Sequence, residues 1–210
     1  MKMAEKSVAP KVVIKVICSL FLMFFLDVQA TSQDISSSYT TLDFENSCGP
    51  ARNSSDGMSV AMTCPGYGSY VVHFAEGDLR QSVTFGHAGV GPRRDYWQSF
   101  VEWNSVNDTI EWRLEDGRPF ATILRWFIEN VDPNTGTPED SQGGEILVVS
   151  RVAQREPEEA CVVGYVDARA NGQANEIARR VADEIARNFD CERDEPRYHG
   201  ERGPYSGNPS

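Results

Sequence analysis

No lysine follows Lys15 in this chain of 210 residues. Every basic residue beyond that point is arginine. A Schiff-base lysine, a lysine general base and a phosphate-loop lysine are therefore excluded from residues 16–210. The arginine bias itself reads as codon composition rather than function. Cysteine is scarce, with five in the chain. No His-Glu-x-x-His, Gly-x-Ser-x-Gly or Cys-x-x-Cys spacing occurs, so the familiar signatures of zinc peptidases, serine hydrolases and dithiol redox sites are missing. No apolar run after residue 30 is long enough to span a bilayer.

What is present begins with an export pattern. Lys2, Lys6, Lys11 and Lys15 precede an apolar run over 16–26 and the small-x-small triplet Val28-Gln29-Ala30. That order predicts a cleavable signal peptide over 1–30. Eleven apolar residues in a helix reach ~17 Å, short of the ~30 Å bilayer core, so a membrane anchor is the weaker reading. Cys18 lacks the small residue expected before a lipid-modified cysteine and would leave with the signal. The expected localisation is periplasmic or secreted, with a mature chain that does not span the membrane.

Removal of four basic and two acidic residues with the signal leaves 16 − 29 = −13 from the full chain's −11. Nucleic acid and anionic membranes repel such a chain; basic partners or cations remain possible. Cys48, Cys64, Cys161 and Cys191 remain, an even number that reads as two disulfides in an oxidising compartment. Three pairings are possible, and the sequential one, Cys48–Cys64 with Cys161–Cys191, is preferred.

The pattern of short apolar segments predicts seven or eight strands in a mainly antiparallel sheet, with one amphipathic C-terminal helix packed on it, an α+β fold. A flexible lead-in is expected over 31–38, one globular domain over 39–191, and a disordered polar tail over 192–210. Asp116-Gly117 marks a two-residue type I′ hairpin turn. Counting outward from it pairs Glu115 with Arg118, Trp112 with Ala121 and Ile110 with Ile123, and places Ile110, Trp112, Leu114, Ala121 and Ile123 on one buried face. The helix is expected over 173–189, with Ile177, Val181, Ile185 and Phe189 against the sheet and Ala174, Ala178 and Ala182 beside them. A short helix around Trp97, Phe100, Val101 and Asn104 is a further possibility.

Several segments resemble a group of small exported bacterial proteins. They are Cys64-Pro65-Gly66-Tyr67, Ala75-Glu76-Gly77-Asp78-Leu79-Arg80, Thr109-Ile110-Glu111-Trp112-Arg113-Leu114, Pro119-Phe120-Ala121-Thr122-Ile123-Leu124-Arg125-Trp126 and Tyr165-Val166-Asp167-Ala168. The resemblance implies export and domain extent, and transfers no catalytic residue.

Chemistry-bearing residues cluster only around His73, Glu76, Asp78 and His87. If a hairpin brought them together they could act as general acid and base or hold zinc. The competing reading is an ordinary turn bent at Gly77, with Asp78 and Arg80 in polar contacts. The segment 86–92 is glycine-rich but lacks the Gly-x-Gly-x-x-Gly spacing, and Pro92 stands where a phosphate-binding helix would begin. Asp132-Pro133-Asn134-Thr135-Gly136 resembles the start of a calcium loop without its later glutamate. Of the four tryptophans, Trp97 and Trp103 are the one pair that could be exposed as a sugar-stacking platform requires; the competing and preferred reading places them in the core.

The expected function is thus a non-enzymatic module binding a protein or envelope ligand. A hydrolase built on His73, Glu76, Asp78 and His87, metal-dependent or not, is one alternative; a carbohydrate binder using Trp97 and Trp103 is another. No cofactor, resident metal or nucleic-acid partner is expected.

Overall fold

A computed structural model describes residues 34–51, 59–90, 98–132, 134–155 and 159–210. The expected signal segment and Trp97 lie outside them. Among the described residues, ten strands and one α-helix belong to one compact unit, Gln33–Ser210. The strands are β1 (Ile35–Thr41), β2 (Gly49–Pro50), β3 (Ser59–Pro65), β4 (Tyr70–Gly77), β5 (Arg80–His87), β6 (Trp103–Glu115), β7 (Arg118–Glu129), β8 (Gly144–Arg151), β9 (Val162–Asp167) and β10 (Arg197–Tyr198). The helix α1 spans Ala174–Ile185, between β9 and β10. The class is α+β as expected, but the strands form two sheets rather than one of seven or eight strands. One is six-stranded, in the order β1-β6-β7-β8-β9-β10, and the other four-stranded, in the order β2-β3-β4-β5. Pairing is antiparallel except between β9 and β10.

Two cores make this a three-layer molecule. Between the sheets lie Val72, Phe85, Phe100, Ile110, Trp112, Leu124, Trp126 and Ile128. Between the six-stranded sheet and α1 lie Ala121, Ile123, Val149, Val163, Val166, Ala178, Val181, Ala182 and Phe189.

The Asp116-Gly117 turn forms as predicted, both residues having positive φ (49° and 79°). The register beyond it does not hold. A bulge leaves Phe120 unpaired, with Leu114 opposite Pro119 but Arg113 opposite Ala121. One residue of slip moves every following side chain to the other face. Trp112 thus pairs with Thr122 and Ile110 with Leu124. Leu124 and Trp126 join Trp112 between the sheets, while Ala121 and Ile123 turn to the helix.

Three further expectations change. β1 begins at Ile35, inside the supposed lead-in, because seven consecutive residues pair with β6. Residues 98–102 are not helical, and Trp103 opens β6. The supposed disordered tail over 192–210 is folded. β10 pairs beside β9, the Tyr198 ring lies 5.2 Å from that of Tyr165, and Phe100 bridges to Pro209. Hydrogen bonding rather than apolar content holds it: the buried carboxylate of Asp167 accepts from the Ser206 hydroxyl (2.6 Å) and from the N–H groups of Arg169 (2.8 Å), Ala170 (2.9 Å) and Gly203 (3.0 Å). Burial pushes that carboxyl up, but these donors outweigh it and hold it below its ordinary 3.8.

Both disulfides follow the sequential pairing, Cys48–Cys64 and Cys161–Cys191. Among the described residues no helix is long and apolar enough to cross a membrane.

Candidate functional site

The β4–β5 hairpin carries all four of the clustered titratable residues and separates them. Alternate residues of a strand face opposite sides. Tyr70, Val72, Phe74 and Glu76 point one way on β4, with their partners His87, Phe85, Val83 and Gln81 on β5. His73, opposite Thr84, lies on the other face. Glu76 and His87 share a face but sit six residues apart along the ladder, roughly 20 Å. The hairpin therefore brings no two of them together as an acid–base pair. His73 Nε2 lies 3.1 Å from the Val90 carbonyl oxygen, and Nδ1 3.5 Å from Thr63 Oγ1. Burial lowers the His73 pKa below 6.5, partly opposed by the bond to Val90. Glu76 accepts the Gln81 amide at 2.7 Å. His87 Nδ1 lies 3.0 Å from the Ala88 carbonyl, with the ring edge-on to Tyr70. Among the described residues, no group of three His, Cys, Asp or Glu side chains is placed to hold a metal ion.

The turn itself departs from expectation. Gly77 ends β4, and the bend falls on Asp78 and Leu79, with φ of 51° and 58°. A leucine in the left-handed region is uncommon and costs ~1–2 kcal/mol. The neighbours hold it there: Asn104 N–H donates to the Leu79 carbonyl at 3.0 Å, and Arg80 Nε donates to the Val101 carbonyl at 2.7 Å. Arg80 also pairs with the Asp78 carboxylate. The outcome is a clamped tip that presents Leu79 to solvent, 57% exposed.

Leu79 has company. Among the described residues seven large hydrophobic side chains are exposed, and five of them, Leu79, Val101, Phe127, Val131 and Tyr205, lie at the end of the six-stranded sheet where β6 starts and β7 stops. Leu79 bonds β6 at Asn104, as above; Val101 N–H donates to Asn208; Phe127 pairs with Ser105; Val131 follows β7; and the Tyr205 carbonyl accepts from Asn130 at 3.1 Å. Partly exposed Trp103 joins them on β6. Phe127 and Trp103 lie on the helix-side face of the six-stranded sheet, and Leu79 on the hairpin of the four-stranded one.

The layering explains why this end is bare. On β7, Ala121 and Ile123 are buried beneath α1, Arg125 is half-buried, and Phe127 and Glu129 are exposed. The outer face of the sheet runs on past the end of its helical cover. Arg125 there is neutralised by Glu145 at 2.6 Å. Trp103 was a possible surface aromatic in the sequence, but Phe127 carried no such signal, because Phe120 in the same strand is core.

The helix side holds a second constellation. Glu111, Arg113 and Glu115 on β6 face Arg179, Asp183 and Arg187. Two residues of strand advance ~6.7 Å and four of helix ~6.0 Å, so the opposite charges stay in step. Arg179 grips Glu111 through Nε (2.7 Å) and Nη2 (3.1 Å), and Arg113 grips Asp183 through Nε (2.9 Å) and Nη2 (2.7 Å). Hydrogen bonding to Glu111 raises the Arg179 pKa further above its ordinary value. Arg187 reaches Glu115 at 3.3 Å and lies over the Phe120 ring. Each cation of the ladder faces an anion, which fixes the helix along the strand.

Two shallow clefts flank the helix. One, about 320 Å³, adjoins the Cys161–Cys191 bridge and includes Arg151 and Arg187. The other, about 290 Å³, lies between α1 and His199-Gly200 and has Ile177, Val181 and Ile185 along it. His199 Nε2 is buried there without a hydrogen-bond partner, and burial, aided by Arg197, lowers its pKa. Comparison of the chain with family models, with curated proteins and with solved structures gives no match.

Proposed function

We propose that this chain is an exported, non-enzymatic binding module that presents the bare end of its six-stranded sheet to a protein or envelope ligand in the periplasm or outside the cell. The gathering of Leu79, Val101, Phe127, Val131 and Tyr205 at that end carries the reading. The signal-like N-terminus, the two disulfides and the resemblance to small exported bacterial proteins support its compartment. The test is recovery of the tagged protein from the periplasm of its own host, with mass spectrometry of what accompanies it. A specific companion should be present with the wild type and lost from a Val101→Ser, Phe127→Ser double variant of unchanged circular dichroism. A companion retained by that variant would place binding elsewhere.

A sugar-binding reading draws on the partial exposure of Trp103 next to Phe127 on the same bare face. Titration with cell-wall oligosaccharides should then quench tryptophan fluorescence in the wild type and not in Trp103→Phe.

A further inference from the structure

We propose that β1 pairs with β1 of a second copy of this chain, joining two six-stranded sheets into one across a two-fold axis. Unpaired sheet edges invite pairing, and proteins usually blunt them. Three of the four edges here are blunted. β10 and β2 are two residues each, and β2 includes Pro50. β5 is occupied along its length: Leu79 accepts from Asn104, Gln81 N–H donates to the Asn104 side chain, Ala153 N–H donates to Phe85, and His87 N–H donates to Ala153. β1 is the exception. It has seven residues, Ile-Ser-Ser-Ser-Tyr-Thr-Thr, with no charge and no proline, and among the described residues only β6 pairs with it.

The backbone polarity of β1 is set by its ends. The Asp34 carbonyl accepts the N–H of Asp116, and Leu42 N–H donates to Asp108. Even-numbered residues therefore turn their backbone groups toward β6, and Ile35, Ser37, Tyr39 and Thr41 turn theirs outward. Centring a two-fold on Ser38 sets Ile35 opposite Thr41 of the second copy and Ser37 opposite its Tyr39. Those are outward-facing residues on both strands, so full-length antiparallel pairing is satisfied in one register. Hydroxyl side chains meet at Ser36–Thr40 and Ser38–Ser38, and Asp34 falls opposite Leu42, so no like charges are opposed. The two Tyr39 rings, each 55% exposed in the single chain, become diagonal neighbours on one face and cover each other. In a chain of net charge −11 this neutral strip is where two copies approach without repulsion.

Sedimentation equilibrium of the purified chain over a wide concentration range tests this. The wild type should double its mass as concentration rises. Tyr39→Pro removes an outward N–H without touching the β6 ladder, and Tyr39→Lys sets two cations side by side; both should stay monomeric with unchanged circular dichroism. Tyr39→Lys serves if the proline variant misfolds. A wild type that remains monomeric throughout, or a dimer that survives Tyr39→Lys, would overturn the proposal.

Discussion

The six-stranded sheet is covered on both faces by different means. Toward the four-stranded sheet it packs large side chains: Trp112 and Phe85 meet edge-on at 5.6 Å, and Phe100 stands 5.5 Å from Trp126 and 5.7 Å from Tyr165. Toward the helix it packs small ones. Ala174, Ala178, Ala182 and Ala186 are all buried, and the charge ladder of Glu111, Arg113 and Glu115 runs alongside them. The first interface is held by area removed from water, which tolerates no particular direction. The second is held by matched geometry, with less area but a fixed position for the helix along the strand. A buried ion pair contributes little net stability once desolvation is subtracted, yet losing one partner is costly. The two faces should therefore respond differently to the same kind of truncation.

The largest effect is expected at the aromatic interface. Trp112→Ala should cost about 3–5 kcal/mol in denaturant unfolding, because a fully buried indole leaves a cavity. On the helix face Arg113→Ala should cost about 3 kcal/mol by stranding Asp183 and loosening Ser37. Adding Asp183→Leu to Arg113→Met should return most of that loss, which no second substitution near Trp112 would do. Equal losses in the single and double variants would show that the ladder acts only through packing. Ile185→Ala should cost only about 1 kcal/mol, below the ~2–5 kcal/mol of a fully buried isoleucine, since Ile185 sits at the margin of the helix core.

The smallest effect is electrostatic and lies outside both interfaces. His73 and His199 have folded-state pKa values lowered by burial. The unfolded chain then binds protons first as pH falls below the ordinary 6.5, so stability should be flat above 6.5 and decline below it, levelling off beneath the folded values. A His73→Gln, His199→Asn variant should lose that decline in pH-dependent thermal melts. Asp167, with its pKa lowered, acts in a separate window: its contribution is complete above 3.8 and disappears as pH falls through its depressed value.

Local chemistry was readable in the sequence, and tertiary adjustments to it were not. Asp116-Gly117 specified its turn because positive φ at both central residues is a local demand. The Phe120 bulge was hidden because either face of β7 is apolar enough to be core, so alternation could not select the register. The isoleucine column and the alanine column of α1 were both visible, but hydrophobicity favours isoleucine while close approach to a sheet favours alanine. Ile177 and Ile185 accordingly lie at the edge, and the alanines underneath. The tail was hidden for the opposite reason. Its composition is polar, and what orders it is a carboxylate 36 or more residues earlier in the chain. At the bare end, exposure depends on where the helix begins, which no strand sequence records.

The helix is bracketed by two closures of unlike chemistry. Cys161–Cys191 ties the start of β9 to the chain just past α1, a separation of 30 residues, while the Asp167 carboxylate ties the end of β9 to Ser206, 39 residues on. The first yields to reductant and is indifferent to acid; the second yields to strong acid and is indifferent to reductant. Either insult alone leaves this stretch looped back on β9 by the other closure, so the segment has two locks with different keys. Only a milieu both reducing and strongly acidic opens them together.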